Sequence, residues 1–289
     1  MSKSAAKTGS EPATLVAIEQ FFPKNNRVLF DPLQYRFLPW GIKTFVSIAR
    51  PKPILNLMCR AAEKSAPGLW GGLLCRKRYI DEKLEENIKN VNQAVNLGAG
   101  LDTRLYRLPG VGRMRVWELD QSKNIEKKQK AVLQALGKQP ENIKLVPIDF
   151  DTQNLGDILH TAGYSSEQPT FFIWEAVTQY LTVTGVRGTF DFLAKAKRGS
   201  FITFTYATKK FLDGKDISDW PAGYKRFVKT GIWQFGMDPE DWPGFLAEFG
   251  WKVIENTGYP EMEEKYLKPA GRDLNANTHV ERMVFAVKE

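Results

Sequence analysis

Val95-Asn96-Leu97-Gly98-Ala99-Gly100-Leu101-Asp102-Thr103-Arg104 is the stretch on which the reading of this 289-residue chain turns. An apolar run ends on two glycines, and the residues after them return to helical spacing. The segment therefore predicts a strand, a tight turn and a helix. Glycines at such a turn let the backbone bend sharply and let a ligand approach main-chain atoms that a Cβ would shield. The helix start adds N–H groups without intrahelical partners. Two glycines after a strand are a short motif, so their meaning depends on what stands at the ends of the neighbouring strands.

From Gln93 onward, short apolar runs alternate with amphipathic ones, the pattern of a parallel sheet crossed by helices. Strands are predicted at 94–97, 115–119, 143–148, 170–174, 200–206, 251–256 and 282–287, and helices at 103–108, 122–136, 156–162, 183–197 and 239–249. The last strand follows a loop rather than a helix, which favours an antiparallel return. Residues 208–237, rich in Trp, Gly, Lys and Phe, exceed an ordinary connection and predict a lid insertion. Upstream, residues 12–90 read as a helical cap in which Pro23, Pro32, Pro39, Pro51, Pro53 and Pro67 end short segments, with a longer helix over 73–88 after Gly71 and Gly72. Residues 1–11 read as a flexible tail. The fold class is α/β, a Rossmann-like seven-stranded sheet over 91–289 under an N-terminal helical cap, all within one domain over 12–289.

Carboxylates stand at the predicted strand ends. Asp120 closes the second strand about 20 residues beyond the glycines, where an acid accepts hydrogen bonds from ribose hydroxyls. Thr103 occupies the place of the third glycine in G-x-G-x-x-G, which argues against a pyrophosphate turn and for a ligand with a ribose but no phosphate. Asp149, after the third strand, suits an adenine amino group or caps its own loop. Glu175, after the fourth, projects over the crevice and suits an ammonium group. A positively charged amino-acid nucleoside, S-adenosylmethionine, satisfies all four positions.

The string Asn96-Leu97-Gly98-Ala99-Gly100-Leu101-Asp102-Thr103-Arg104-Leu105-Tyr106-Arg107-Leu108 closely resembles the signature of the leucine carboxyl methyltransferase family, whose enzymes use S-adenosylmethionine. The resemblance runs from Arg76-Lys77-Arg78-Tyr79-Ile80-Asp81 through Glu118-Leu119-Asp120 and Asp149-Phe150 to Glu175 with Tyr180-Leu181, roughly residues 73 to 206. It implies a class I methyltransferase sheet. It also implies that Arg76 binds the methionine carboxylate, Gly98 and Gly100 pass close to the methionine moiety, Asp120 holds the ribose, Asp149 with Phe150 the adenine, and Glu175 the amine. Phe150 stands where the family commonly has leucine. The family methylates both a protein's C-terminal leucine and many small molecules, so the resemblance does not name the acceptor.

The expected reaction is methyl transfer to an oxygen of a small-molecule or peptide acceptor, a carboxylate above all, because a carboxylate needs no general base. Arg78 and Arg272 suit an acidic acceptor, in keeping with 41 basic against 33 acidic side chains and a formal charge of +8. Trp70, Trp220, Tyr224, Trp233 and Phe235 either line an apolar acceptor pocket or form the loop's own small core. Phe37 to Ile48, with Lys43 and Arg50, suit a membrane surface, though packing on the sheet explains them more simply. Two other readings share these residues: a catalytically silent S-adenosylmethionine-binding protein acting through a partner, and a nicotinamide-dependent oxidoreductase, which needs the pyrophosphate site that Thr103 disfavours.

The basic residues are dispersed, without the dense block of a nucleic-acid arm. Cys59, Cys75, His160 and His279 supply no set of ligands at zinc-site spacing, no metal site is expected, and neither histidine is read as catalytic. No secretory pattern opens the chain and no run of 18 apolar residues exists to span a bilayer, so the expectation is a cytoplasmic protein without a transmembrane segment.

Overall fold

The computed structural model describes residues 10–150, 152–276 and 279–289. The tail expected over residues 1–11 lies outside them except at its last two positions, which stand in the first helix.

β1 (Gln93–Leu97) is buried along its whole length, as a central strand is when both faces of its sheet are covered. It pairs in parallel with β2 (Arg115–Asp120) on one side and with β4 (Thr170–Trp174) on the other. β3 (Ile143–Pro147) continues the sheet beyond β2 and β5 (Phe201–Thr208) beyond β4, again in parallel. β6 (Gly236–Met237) is a two-residue strand beside the end of β5. β7 (Trp251–Gly258) and β8 (Glu281–Lys288) complete the order β3-β2-β1-β4-β5-β8-β7, with β8 antiparallel to both its neighbours, as expected of the last strand. β6 is the addition to the expected seven, and two residues carry no period for a sequence to show.

Alternation along each strand builds two cores. Phe171 and Ile173 of β4 join Ala94, Val116 and Phe285 on one face, while Phe172 and Trp174 join Val95, Leu97, Trp117, Phe204 and Trp242 on the other. The first face is closed by α1 (Ser10–Glu19), α3 (Trp40–Ile48), α4 (Lys52–Ser65) and α5 (Leu69–Asn87), and α2 (Gln34–Phe37) packs beside them. Several prolines here begin helices instead of ending them. Pro39 and Pro51 immediately precede α3 and α4, and Pro53 lies in the first turn of α4, where a missing N–H costs nothing.

α5 also starts earlier than expected, with Gly71 and Gly72 inside it. A Cβ on Gly71 would come within 2.4 Å of the Asn275 carbonyl oxygen, so the bare helix face is where the segment after β7 packs. Phe37, Leu38 and Val46 are buried as expected, but Trp40, Phe45 and Ile48 are exposed.

Between the strands lie α6 (Arg104–Arg107), α7 (Ser122–Leu136) and the helices Leu155–Thr161 and Val183–Leu193. The helix expected over 239–249 shortens to Trp242–Ala247 behind a turn at Pro239–Asp241. The expected lid stretch folds around Phe211, Phe227 and Trp233, with Trp220 and Tyr224 against them. Among the described residues, no helix is long and apolar enough to cross a membrane.

Candidate cofactor and acceptor site

A cavity of about 500 Å³ lies over the carboxyl ends of β1, β2 and β4. Gly98 and Gly100 border it with φ of +86° and +45°. A Cβ on Gly98 would stand 2.3 Å from Val177 Cγ2, whereas one on Gly100 would meet no atom within 4 Å. The first glycine is thus demanded by packing and the second leaves open space. The Gly100 N–H donates to Asp120 Oδ2 at 2.8 Å, and Asp120 Oδ1 accepts from the Gln121 N–H at 2.7 Å and from Asn124 Nδ2 at 2.8 Å. Asp120 therefore fixes the turn and still has carboxylate lone pairs for a ligand hydroxyl. Behind the turn, fully buried Lys128 of α7 pairs with Glu118 at 2.7 Å and donates to the Asp102 carbonyl at 2.8 Å.

The floor of the site is a chain of buried charges alternating in sign. Glu281 binds Arg76 at 2.7 Å, and Arg76 binds Glu175 at 3.0 Å. Glu175 binds Arg104 at 2.9 Å, and Arg104 binds Asp81 at 3.0 Å. Asp81 pairs with Arg107, which reaches Asp31 at 3.2 Å. Lys77 adds a contact to Glu175 at 3.3 Å, and Asp102 binds Arg104 at 2.8 Å. The Thr103 hydroxyl donates to Asp31 at 2.5 Å, so the residue that replaces the third glycine faces the protein interior.

Burial alone would raise the pKa of Glu175, but the charges of Lys77, Arg104 and Arg76 outweigh it and hold the carboxyl at about 2. Asp102 is likewise held well below the usual carboxylate range, against its own burial, by Arg104 and Lys77. Because the folded-state pKa of Glu175 lies below its ordinary value of 4.5, its ionised form stabilises the fold at neutral pH. That contribution drains as pH falls from 4.5 toward about 2. The gap between the urea midpoints of the wild type and Glu175→Gln is expected to be widest at neutral pH and to close across this window. A gap constant with pH would show that the charge of Glu175 is not what stabilises the site.

Arg76, Gly98, Gly100, Asp120 and Glu175 are thus brought around one cavity. Ala176, the next residue, has φ +56°, the sole positive value for a non-glycine among the described residues, and its N–H donates to Thr205 Oγ1 at 2.7 Å. Such a conformation costs on the order of 1 kcal/mol and commonly marks a working site. Asp149 and Phe150 stand past the end of β3, outside the cavity lining: Asp149 is exposed and Phe150 packs against the second core.

The three residues expected at the acceptor lie elsewhere. Arg78 is half-buried on α5 near Tyr266, and Tyr224 packs its ring against Phe211. Arg272 is buried against Glu19 at 2.6 Å with its guanidinium over the Phe22 ring, joining α1 to the chain before β8. Of the five aromatic residues expected at the pocket, Trp220 and Trp233 line the cavity, while Trp70 and Phe235 are buried in the two main cores.

Lys77, Arg104, Gln179 and Glu281 belong to the site without having been singled out by the sequence. Lys77 and Arg104 sit inside the strings that carry the resemblance, but Glu281 reaches the site only through the antiparallel placement of β8.

Two buried donors on cavity-lining side chains remain unsatisfied. Asn96 Nδ2 and Trp233 Nε1 are buried, have no hydrogen-bond partner among the described residues, and belong to side chains lining the cavity. Buried donors of this kind call for a ligand's acceptors, and with the open space beside Gly100 they fit an amino-acid nucleoside above the turn. The sequence model of leucine carboxyl methyltransferases matches residues 11–194, more than half of the chain.

The chain belongs to the leucine carboxyl methyltransferase family. A Mycobacterium bovis protein named "Putative S-adenosyl-L-methionine-dependent methyltransferase" is 37% identical over 202 residues, covering 64% of this chain and 63% of that one. A Mycobacterium ulcerans protein of the same name is 33% identical over 146 residues, 49% of this chain and 46% of the relative, so the match spans less than half of that protein. The fold of this family member is that of class I methyltransferases. The crystal structure of a "putative methyltransferase" from Thermobifida fusca superposes with a TM-score of 0.55 at 16% identity, covering 82% of this chain and 88% of that one.

Proposed function

We propose that this chain is an S-adenosylmethionine-dependent methyltransferase whose acceptor is the carboxylate of a small molecule or peptide. The observation that carries the reading is one cavity lined both by polar groups, Gly98, Gly100, Asp120 and the charges around Glu175, and by apolar ones, Leu69, Leu73, Trp220, Phe227 and Trp233. The cofactor, when bound, supplies an electrophilic methyl group on a sulfonium. Arg76 with Lys77 would take its carboxylate, Glu175 its ammonium and Asp120 its ribose, while Asp149 and Phe150, which lie outside the cavity, would meet only an adenine that extends past it toward the end of β3. The apolar side chains exclude water and would hold the acceptor in line.

The side chains around the cavity favour an acceptor that is already ionised. No described histidine lines it. Asp102 and Glu175 are held too far below neutrality to take up a proton. Glu281 is engaged by Arg76, Tyr259 and Gln179. Burial, with Glu281 beside it, pushes the Tyr259 hydroxyl well above its ordinary value, so it stays protonated. A carboxylate needs none of these groups as a base.

Calorimetric titration with S-adenosylhomocysteine and with NAD tests the cofactor, and labelled methyl transfer to libraries of carboxylic acids, phenols and amines tests the acceptor. Binding of NAD alone would sink the reading. Transfer only to phenols or amines would overturn the carboxylate, and tight binding without any transfer would favour a silent cofactor-binding protein. Asp120→Ala is expected to weaken S-adenosylhomocysteine binding by about 1–3 kcal/mol, roughly five- to 150-fold, through lost ribose hydrogen bonds and a loosened Gly100. An unchanged Kd in the folded variant would remove Asp120 from the site.

A further inference from the structure

We infer that the outward faces of α3 and α4 dock on an anionic lipid bilayer. Both helices are amphipathic toward the protein: Val46 and Ala49 of the α3 segment and Leu55 of α4 are buried, with Ile42, Met58, Cys59 and Ala62 packed against the same core. Their opposite faces are apolar as well. Trp40 is 79% exposed, Phe45 55%, Ile48 58% and Leu57 67%, with Ile54 beside them in sequence at 37%. Residues 49–51 alone separate the two helices, and Phe45 with Ile48 on α3 and Ile54 with Leu57 on α4 each stand three apart, so each pair shares a helix face.

The charge on this segment is mostly positive. Residues 32–65 hold Arg36, Lys43, Arg50, Lys52, Arg60 and Lys64 against a single acid, Glu63. Lys52, Arg60 and Lys64 are exposed, and the last two follow Leu57 by three and seven residues, on its own face of α4. Exposed large apolar groups interleaved with basic ones match an interface in which apolar side chains enter the acyl boundary and Lys and Arg meet anionic headgroups. Other occupants match less well. Residues 1–9 contain Met1 as their one large apolar residue and carry Lys3 and Lys7, which repel the face. A second copy would set like charges against each other. α4 runs on into Pro67, Gly68 and Leu69, which line the cavity, so docking brings lipid to the segment bordering it.

Sedimentation of the full chain with vesicles tests this. Phosphatidylcholine vesicles containing phosphatidylserine are expected to bind it at least about tenfold more tightly than pure phosphatidylcholine vesicles, with the difference shrinking at high salt. The triple variant Trp40→Ser, Phe45→Ser, Leu57→Ser should lose at least about tenfold of that binding, and Lys52→Glu, Arg60→Glu, Lys64→Glu should lose the preference for phosphatidylserine. All six positions are exposed, and unchanged circular dichroism and thermal midpoints verify that the variants fold. Failure of the wild type to sediment with either vesicle, or undiminished binding by the apolar triple variant, would overturn the inference. So would a wild-type dimer in light scattering that the triple variant converts to a monomer, since the face would then belong to a second copy.

Discussion

Gly98→Ala is expected to destabilise the protein by about 2–5 kcal/mol and to abolish measurable cofactor binding. The left-handed backbone at φ +86° costs a side-chain-bearing residue roughly 1–2 kcal/mol. The added Cβ also falls 2.3 Å from Val177 Cγ2. Valine is stiff at χ1 and has no long arm to swing away, so the overlap is relieved by backbone movement, at roughly 1–3 kcal/mol for an overpacked site. The two parts separate experimentally. Gly98→Ala with Val177→Ala removes the overlap and leaves the backbone strain, so it should recover part of the loss in urea denaturation. Gly100→Ala meets no atom within 4 Å and should cost only about 1 kcal/mol of stability, while its methyl group enters the cavity and weakens the ligand. If Gly98→Ala were as stable as wild type, the turn would not be held by Val177.

Arg104→Met should be the most damaging single change to stability in the charged floor, at about 3–5 kcal/mol. Arg104 is fully buried and serves Asp81, Asp102 and Glu175 together. Methionine fills much of the same volume but leaves three carboxylates without their shared cation. Without it Glu175 and Asp102 bind a proton more readily in the folded variant than in the folded wild type. The sign follows: their folded pKa rises, so the penalty is full at neutral pH and shrinks on mild acidification. Thermal midpoints of both proteins from pH 7 to about pH 5 check it. A deficit that grows on acidification would show that Glu175 and Asp102 do not depend on Arg104.

Much of the polar lining was legible in the sequence because each residue sits next to a strand end, and strand ends are marked locally by an apolar run meeting Gly, Asp or Glu. Gly98, Gly100, Asp120 and Glu175 are of this kind. Glu281 is not: nothing around it distinguishes it from a surface acid, and only the pairing of β8 with β5 carries it to Arg76. Arg272 shows the converse, a residue with chemistry suited to an acceptor whose partner is Glu19, 253 positions away. Gly71 and Gly72 read as a break before a helix, yet the tertiary contact with the segment after β7 sets them within it. Prolines mark a boundary without telling which side of it is helical, which is why Pro39 and Pro51 begin segments they were expected to end.

The alternating charges from Glu281 to Asp31 bear on how this scaffold can be re-engineered. A chimera that imports another relative's N-terminal helical part would naturally be cut just before β1, near residue 90, where the helices meet the sheet. Such a cut severs Arg76, Asp81 and Asp31 from Glu175, Arg104, Arg107 and Glu281, and the graft succeeds only if the donor supplies the complementary partners. A seam placed ahead of α5 keeps Arg76 and Asp81 with the recipient and leaves two buried foreign carboxylates to be matched, Asp31 to Arg107 and Thr103 and Glu19 to Arg272.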